Sequence, residues 1–304
     1  MNVLNKMVAF YGLLHEYKGI PNILFTPLRR AVRFMAKTVL PKRLAKLYPY
    51  SPVVAEGVVV SLTSFPDRIS NVWQVVACMK RQTVRPEKIF LWLSEDQFPT
   101  KRLPDSLLDI EDEVFQVKWV KGDIRSHKKY FYVSQQFPDS WVVLVDDDIY
   151  YPTNLIERML AAKGNRQHVL VCNFGYLMRY NSDGVVMPYS CWIDLYQNIS
   201  NDDIFFGSGG GTMFKPSDMY NDLLDSNLFL SLTPNADDVW LNAMAQLGGI
   251  ECIMLKNGIP LPVAQSSSVS LYSNNVGQCG NDKQIDAVRQ HYQNKVFVKP
   301  RADK

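Results

Sequence analysis

The 304-residue sequence contains no run of about 18 apolar residues, the length that a membrane-spanning helix requires. Its N-terminus also lacks the apolar stretch and the small-residue cleavage site of a secretory signal peptide. These absences argue against a helical membrane protein and against an exported one. We therefore expect a cytoplasmic protein.

Cysteine is scarce, and the five cysteines are odd in number, widely separated and never arranged as Cys-x-x-Cys. A disulfide framework or a cysteine zinc site is therefore not expected. A phosphate-binding Walker loop is also absent, because no Lys-Ser or Lys-Thr follows the glycines of 207–211. That glycine cluster predicts either a tight turn or, around Gly210, a close approach of the backbone to a sugar.

Acidic residues are rare near the N-terminus, where residues 1–50 hold nine Lys and Arg against Glu16 alone. This segment carries a charge of +8, so residues 51–304 carry −5 of the total +3. The prolines at 41, 49 and 52 predict a boundary between a basic helical arm (1–52) and a main domain (53–304). The domain divides into a nucleotide-binding half (53–152) and an acceptor half with the C-terminal tail (153–304).

The arm is predicted to contain an amphipathic helix over residues 27–40, with arginines and lysines on one face. The apolar face consists of Leu28, Ala31, Val32, Met35 and Val39. Two interpretations stay open at this point. The helix lies on an anionic membrane surface, which would place the protein on the inner face of the membrane, or it packs on the main domain or on a partner subunit.

From Glu56 onward, short apolar runs alternate with helical patterns, which predicts an α/β fold with a mostly parallel central sheet flanked by helices. The strands are expected at 58–62, 89–93, 114–120 and 141–145. Polar residues follow each of them, and the carboxyl ends of parallel strands form the edge where open α/β sheets bind ligands. A ligand site is therefore expected along this edge.

Three consecutive carboxylates, Asp146, Asp147 and Asp148, follow the fourth predicted strand directly. Strand alternation would place Asp146 and Asp148 on one face, where they could share a hard divalent cation, and would turn Asp147 away. Three adjacent like charges beside an apolar segment require a counter-ion. The triplet predicts a cation site in which Asp147 is dispensable for chemistry.

The order of these segments resembles a nucleotide-sugar glycosyltransferase of the GT-A type, a Rossmann-like fold, over about residues 57–250. The segments 63–68, 128–130, 146–152 and 236–240 are similar to bacterial transferases that build surface polysaccharides. The resemblance implies a Mn²⁺ or Mg²⁺ ion held by Asp148 and Asp146, with His291 completing the shell. It also implies a UDP-linked sugar donor contacted by Thr63, Ser64, Arg68, Glu95, Asp123, Lys128, Asp146 and Gly210.

The pair Asp237-Asp238 opens a predicted helix at the place where inverting members of that family carry a catalytic acid pair. A carboxylate at a helix N-terminus is kept ionised by the helix dipole and can accept the proton of an attacking sugar hydroxyl. We expect Asp238 to be the base and Asp237 the alternate. Capping of the helix by aspartate is the structural alternative.

These features predict a hexosyltransferase that moves a sugar to a glycan or lipid-linked acceptor in surface polysaccharide synthesis. A nucleic-acid partner is not expected. Two other functions stay open. A nucleotidyltransferase would use the acids to hold metal ions for attack on phosphorus and would release pyrophosphate. A non-catalytic protein would bind carbohydrate in a cation-dependent way without turnover.

Overall fold

The computed structural model describes residues 3–16, 22–46, 49–194, 199–200, 203–256, 259–263 and 280–299. Among the cysteines, Cys78, Cys172 and Cys191 are free thiols, and Cys279 lies outside the described residues. Within the described part of the chain, no helix is long and apolar enough to cross a membrane.

Helices and strands alternate along most of the chain, as the apolar pattern predicts. The helices are α1 (Val3–Glu16), α2 (Thr26–Leu44), α3 (Val72–Lys80), α4 (Asp105–Leu108), α5 (Lys128–Gln136), α6 (Leu155–Lys163), α7 (Ser226–Leu232), α8 (Asp237–Leu247) and α9 (Gly280–His291). The strands are β1 (Val54–Thr63), β2 (Arg85–Ser94), β3 (Phe115–Val120), β4 (Trp141–Leu144), β5 (Ile149–Tyr150), β6 (Val169–Cys172), β7 (Gly175–Leu177), β8 (Ile193–Asp194), β9 (Ile199–Ser200), β10 (Ile204–Phe206), β11 (Thr212–Phe214), β12 (Glu251–Met254) and β13 (Leu261–Pro262).

The central sheet has the strand order β3-β2-β1-β4-β11-β6-β12-β9. Strands β3, β2, β1 and β4 run parallel to one another, and β6 and β12 share their direction because β11 is antiparallel to both β4 and β6. Strand β9 is antiparallel to β12. The predicted α/β fold with a mostly parallel sheet is confirmed, and β1 to β4 end at one common edge.

Two apolar cores cover the two faces of this sheet. Alternate residues of β4 divide between them: Val143 joins the core that includes α3 and α6, whereas Val142 and Leu144 join the core that includes α5 and α8. A strand covered on both faces must be apolar at every position, which explains the continuous Val-Val-Leu run that β4 carries. Burial on both sides fixes where the acidic residues after β4 emerge.

The arm packs on the core that contains α3 through Val32, Ala36, Leu40 and Leu44 of α2. Of the predicted apolar face, the domain covers Val32. The other residues of that face are exposed: Leu28, Ala31, Met35 and Val39. The helix also passes through Pro41 to Leu44, beyond the predicted end.

Arg81 of the main domain closes the C-terminal end of α2. Its Nη2 donates hydrogen bonds to the carbonyl oxygens of Leu44 (2.7 Å) and Lys46 (2.5 Å). The last carbonyls of a helix have no partner within the helix, and a guanidinium supplies both the hydrogen bonds and the positive charge that this end favours. The arm is therefore attached to the domain at a defined point.

We expect Leu40→Ala to lower the free energy of unfolding by about 2–5 kcal/mol, because it opens a cavity where α2 meets the domain. Leu40 is 1 % exposed, whereas its neighbour Val39 is 37 % exposed. Val39→Ala is therefore the matched control and should change stability by less than about 0.5 kcal/mol. Urea unfolding followed by circular dichroism measures both, and equal small effects would show that the arm does not pack on the domain.

Candidate functional site

The acidic triplet lies in a loop, because β4 ends at Leu144 and strict strand alternation does not reach the three aspartates. Asp147 is buried, and it accepts hydrogen bonds from Ser64 Oγ (2.5 Å) and Arg68 Nη1 (3.0 Å). The same Nη1 atom lies 2.8 Å from Asp148 Oδ2. Asp147 does not simply turn away, since one guanidinium binds it together with Asp148.

The carboxyl group of Asp148 is held in an environment that disfavours its charge. Burial, together with the neighbouring carboxylates of Asp146 and Asp147, raises the pKa of Asp148 to about 7, although Arg68 and Lys129 oppose the shift. Like charges that cannot separate raise each other's pKa. A cation placed between Asp146 and Asp148 would therefore relieve an existing repulsion.

Lys129 joins the acidic triplet to the acid pair of α8. Its Nζ atom lies 2.8 Å from Asp146 Oδ1 and 2.9 Å from Asp237 Oδ2, and its side chain is only 5 % exposed. Burial alone would favour the neutral amine, but Asp146, Asp237 and Asp238 raise the pKa of Lys129 above its ordinary value. The lysine is therefore a buried, fixed positive charge between two groups of carboxylates.

The start of α5 is fixed against the sheet, which aims Lys129 inward. Ser61 in the middle of β1 donates a hydrogen bond from Oγ to the Lys129 carbonyl oxygen (2.5 Å). Ser61 in turn accepts one from the Trp92 indole nitrogen on β2 (2.9 Å). A buried serine in an otherwise apolar strand needs such partners, and here they set the position of the lysine.

The glycine-rich turn between β10 and β11 completes the connection. Ser208 donates from its backbone N–H to Asp238 Oδ1 (2.8 Å) and from Oγ to Asp237 Oδ2 (2.7 Å). The Gly209 carbonyl accepts from the Asp146 N–H (3.0 Å). A Cβ atom at Gly209 would lie 1.8–2.0 Å from the Asp146 carboxyl atoms, so only glycine leaves room for that side chain.

Gly210, predicted to approach a sugar, lies against Phe174. A Cβ atom there would come within 2.7 Å of the Phe174 Cβ, so packing within the chain already accounts for this glycine. The sequence left a tight turn and a close approach to a sugar open as alternatives; in the structure, the group that approaches Gly209 is the protein's own Asp146. A role for Gly210 in donor binding stays a prediction.

The two aspartates at the start of α8 differ sharply in acidity. For Asp237, burial opposes ionisation, but Lys129 and hydrogen bonds lower its pKa to about 2. For Asp238, burial and the adjacent Asp237 carboxylate raise the pKa to about 6. Neither caps the helix, because Ala236 is the N-cap residue. Adjacent carboxylates with separated pKa values are typical of acid–base sites.

The predicted donor-binding residues at the ends of β1, β2 and β3 line the same edge, and each already has a protein partner. Thr63 donates from Oγ1 to the Trp92 carbonyl (2.8 Å), and the partly exposed Glu95 accepts from Lys101 Nζ (2.7 Å), which lowers the pKa of Glu95. Asp123 pairs with the buried ammonium of Lys128. Lys128 is thereby held at Asp123, and its predicted place beside a phosphate stays a prediction.

His291, predicted as a third metal ligand, is exposed at the C-terminal end of α9, with its ring against Tyr292 at a centroid distance of 4.7 Å. Among the described segments that follow α8, strand β13 does reach the acidic triplet, and it pairs with β5. It continues to Val263, whose N–H donates to the Asp148 carbonyl (2.7 Å). The structure therefore does not bring His291 together with the triplet through any described contact.

The donor chemistry of Asp146 and Asp148 fits a hard divalent cation. Both side chains reach solvent, being 40 % and 29 % exposed, and both offer carboxylate oxygen. Within the described ranges, no group of three or more His, Cys, Asp or Glu side chains is arranged to hold a metal ion. Mg²⁺ commonly takes only one or two carboxylates and completes its shell with water and phosphate oxygens.

The sequence does not identify Lys129 and Ser208 as the residues that connect the two acid groups. Lys129 stands beside Lys128 in a polar-aromatic segment, and nothing in the local sequence separates a buried lysine from a solvated one. One signal was available: three or more carboxylates predicted at one edge of a sheet need a cation. That requirement predicts an internal lysine or arginine near the carboxylates.

The site and the sheet define an α/β protein of the Rossmann-like class. No family model matches the chain, and no curated protein matches it. Solved structures similar to it include a 4-diphosphocytidyl-2C-methyl-D-erythritol synthase, at 12 % identity and a TM-score of 0.42, over 69 % of this chain and 93 % of the other. The synthase of that name from Anaerococcus prevotii is 11 % identical, with a TM-score of 0.43, over 78 % and 100 % of the two chains.

At these identities the likeness concerns the fold alone. Both structures are named as 4-diphosphocytidyl-2C-methyl-D-erythritol synthases. The resemblance to GT-A glycosyltransferases therefore stays a prediction from the sequence motifs.

We expect Lys129→Met to lower the free energy of unfolding at pH 7 by about 3–5 kcal/mol, because buried carboxylates lose their cation. Lys128→Met is the matched control: its partner Asp123 is 27 % exposed and can be hydrated, so a loss below about 2 kcal/mol is expected. Urea unfolding at a series of pH values measures both.

The pH dependence of stability should differ in sign between the wild type and Lys129→Met. In the wild type, the lowered pKa of Asp237 stabilises the fold above about pH 4, the unfolded value, and this contribution is lost as pH falls towards about 2. In Lys129→Met, the buried carboxylates take up protons more readily than in the unfolded chain, so its stability deficit should shrink as pH falls. A constant deficit between pH 4 and pH 7 would contradict the assignment of Lys129.

Proposed function

We propose that the protein transfers a sugar from a nucleoside diphosphate donor to a hydroxyl of a glycan or lipid-linked acceptor, with inversion at the anomeric carbon. The observation that carries the proposal is the Lys129 bridge, which joins Asp146 of the acidic triplet to Asp237 of α8. A group that neutralises a diphosphate and a group that accepts a proton thereby share one site.

The triplet is the half of the site that suits the departing diphosphate. Cleavage of a glycosidic bond to phosphate leaves negative charge on the departing oxygens, and Mg²⁺ or Mn²⁺ held by Asp146 and Asp148 would neutralise it. Arg68 stands beside Asp148 and can donate to a phosphate oxygen from the same side. Asp147 holds Arg68 and Ser64 in place, a structural role compatible with being dispensable for the chemistry itself.

Asp238 is the half of the site that suits the acceptor. Its raised pKa of about 6 leaves it ionised at neutral pH, yet makes it a better proton acceptor than an ordinary aspartate. The acceptor oxygen attacks the anomeric carbon, the bond from that carbon to the diphosphate oxygen breaks, and the hydroxyl proton passes to Asp238. Asp237, tied to Lys129 and Ser208, keeps the neighbouring charge fixed.

Nucleotidyl transfer is the second candidate, and the names of the two similar structures favour its class. Attack on phosphorus by a phosphate acceptor needs no proton removal. In that reaction Asp238, which is partly buried and has a raised pKa, would have no proton to accept. This is the physical reason for ranking glycosyl transfer first.

Product analysis separates the two reactions. The full-length protein is incubated with Mn²⁺ or Mg²⁺ and a panel of nucleotide sugars, or with nucleoside triphosphates and sugar phosphates. Glycosyl transfer releases a nucleoside diphosphate from a nucleotide sugar, whereas nucleotidyl transfer releases pyrophosphate from a triphosphate. Pyrophosphate release without turnover of any nucleotide sugar would refute our proposal.

Asp238→Asn should lower kcat by about 100-fold or more, the usual contribution of a general base, while donor affinity stays within about threefold. In the wild type, kcat should rise with pH through about 6, where Asp238 loses its proton, and then level off. The control is Asp286→Asn, at an exposed position of α9, which should behave as the wild type. An unchanged pH profile in Asp238→Asn would assign the proton transfer to another group.

Asp148→Ala should abolish donor hydrolysis and transfer while the fold persists. Thermal unfolding with a nucleotide sugar measures metal-dependent donor binding. The donor should stabilise the wild-type protein only when Mn²⁺ is present, and it should not stabilise the variant under either condition. Asp139→Ala, at an exposed turn before β4, should keep the metal-dependent stabilisation. Wild-type turnover by Asp148→Ala would eliminate the metal assignment.

A further inference from the structure

The N-terminal helices carry most of the exposed apolar surface of the described chain. Of 14 large hydrophobic residues that are exposed there, nine lie between residues 3 and 39. The most exposed of these are Ile23 (75 %), Phe34 (68 %) and Leu24 (65 %). Clustered exposed apolar residues mark interaction surfaces rather than ordinary protein surface.

Basic side chains are interleaved with these apolar ones on α2. Leu28, Met35 and Val39 follow one another at helical spacing in an exposed stripe, which Lys42 continues. On the adjacent exposed stripe, Phe34 lies between basic residues. The exposed side of residues 23–43 is called the arm surface. It is formed by the apolar residues Ile23, Leu24, Leu28, Phe34, Met35 and Val39 and by the basic residues Arg30, Arg33, Lys37, Lys42 and Arg43.

The arm surface is positively charged without compensation. The sequence contains no acidic residue between Glu16 and Glu56, a stretch that holds eight Lys and Arg. None of the five basic residues of the arm surface forms an ion pair with a carboxylate in the described part of the chain; the ion pairs found there involve other residues. Two copies of this surface would repel each other, so a symmetric dimer through it is disfavoured.

A neighbouring face of α2 is already occupied by the domain, through Ala36 and Leu40 among others. Packing on the domain and binding to a surface are therefore not alternatives for this helix, because they use different sides of it. A helix that lies flat on a bilayer inserts apolar side chains between the headgroups, while lysines and arginines reach anionic lipid phosphates.

We propose that the arm surface binds the surface of an anionic lipid bilayer, with α2 lying in the interface plane. The apolar stripe provides insertion, and the five basic residues provide the attraction to anionic headgroups. This inference does not depend on the reaction that the active site performs.

Co-sedimentation of the full-length protein with vesicles tests the proposal. Vesicles of phosphatidylglycerol and phosphatidylcholine in equal parts should bind the protein at low salt, and vesicles of phosphatidylcholine alone should not. Binding should weaken as salt is raised, because screening shortens the reach of the charges. Equal binding to both vesicle types, or binding to neither, would overturn the proposal.

Two variants with matched charge changes identify the surface. Arg30→Gln/Arg33→Gln/Lys37→Gln should lower partitioning about 100-fold. Arg102→Gln/Lys283→Gln/Lys295→Gln removes the same charge from exposed positions outside the arm and should bind as the wild type. Equal losses in the two variants would mean that overall charge, rather than the arm surface, drives binding.

Phe34→Ser/Met35→Ser tests the apolar part, and should abolish binding while leaving the unfolding midpoint unchanged, since both side chains are exposed. Sedimentation velocity without lipid supplies the remaining outcome. A dimer that forms in the wild type and disappears in Phe34→Ser/Met35→Ser would show that a second copy covers the arm surface, and would overturn the membrane assignment.

Discussion

The ion pairs of Lys129 are the interaction on which the site depends. One buried ammonium holds Asp146, which follows β4, and Asp237, which opens α8, at 2.8 Å and 2.9 Å. Without it, carboxylates from distant parts of the chain would repel each other in a poorly hydrated space. Because the cation is internal and fixed by its helix, the two acid groups can share one site before any ligand binds.

The same arrangement separates the acidities of the carboxylates. Asp237 contacts Lys129 directly and stays ionised to low pH, while Asp238 beside it and Asp148 in the loop have raised pKa values. Asp238 can accept a proton, and Asp148 can bind a divalent cation. Burial and the neighbouring carboxylates raise the pKa of Asp148 and Asp238, although Lys129 opposes both shifts.

Much of the fold follows from the sequence, because strands buried on both faces are continuously apolar and the helices between them are amphipathic. The arm shows the limit of this reasoning. Helix α2 has two apolar stripes, and the sequence does not say which one the domain covers; the predicted apolar face includes Met35, which is 46 % exposed. Only the position of the sheet decides between Met35 and Ala36.

The sequence predicts the parts of the site whose residues are adjacent in the chain, and not the contacts between distant segments. The acid triplet and the pair at 237–238 are visible as adjacent residues, but the partner that joins them is a single lysine whose burial depends on β1, β4 and α8 together. Titration of the aspartate side-chain carboxyls by ¹³C NMR tests this account most directly. It predicts that Asp237 titrates at about 2 and Asp238 at about 6; both titrating near 4, as free aspartates do, would contradict it.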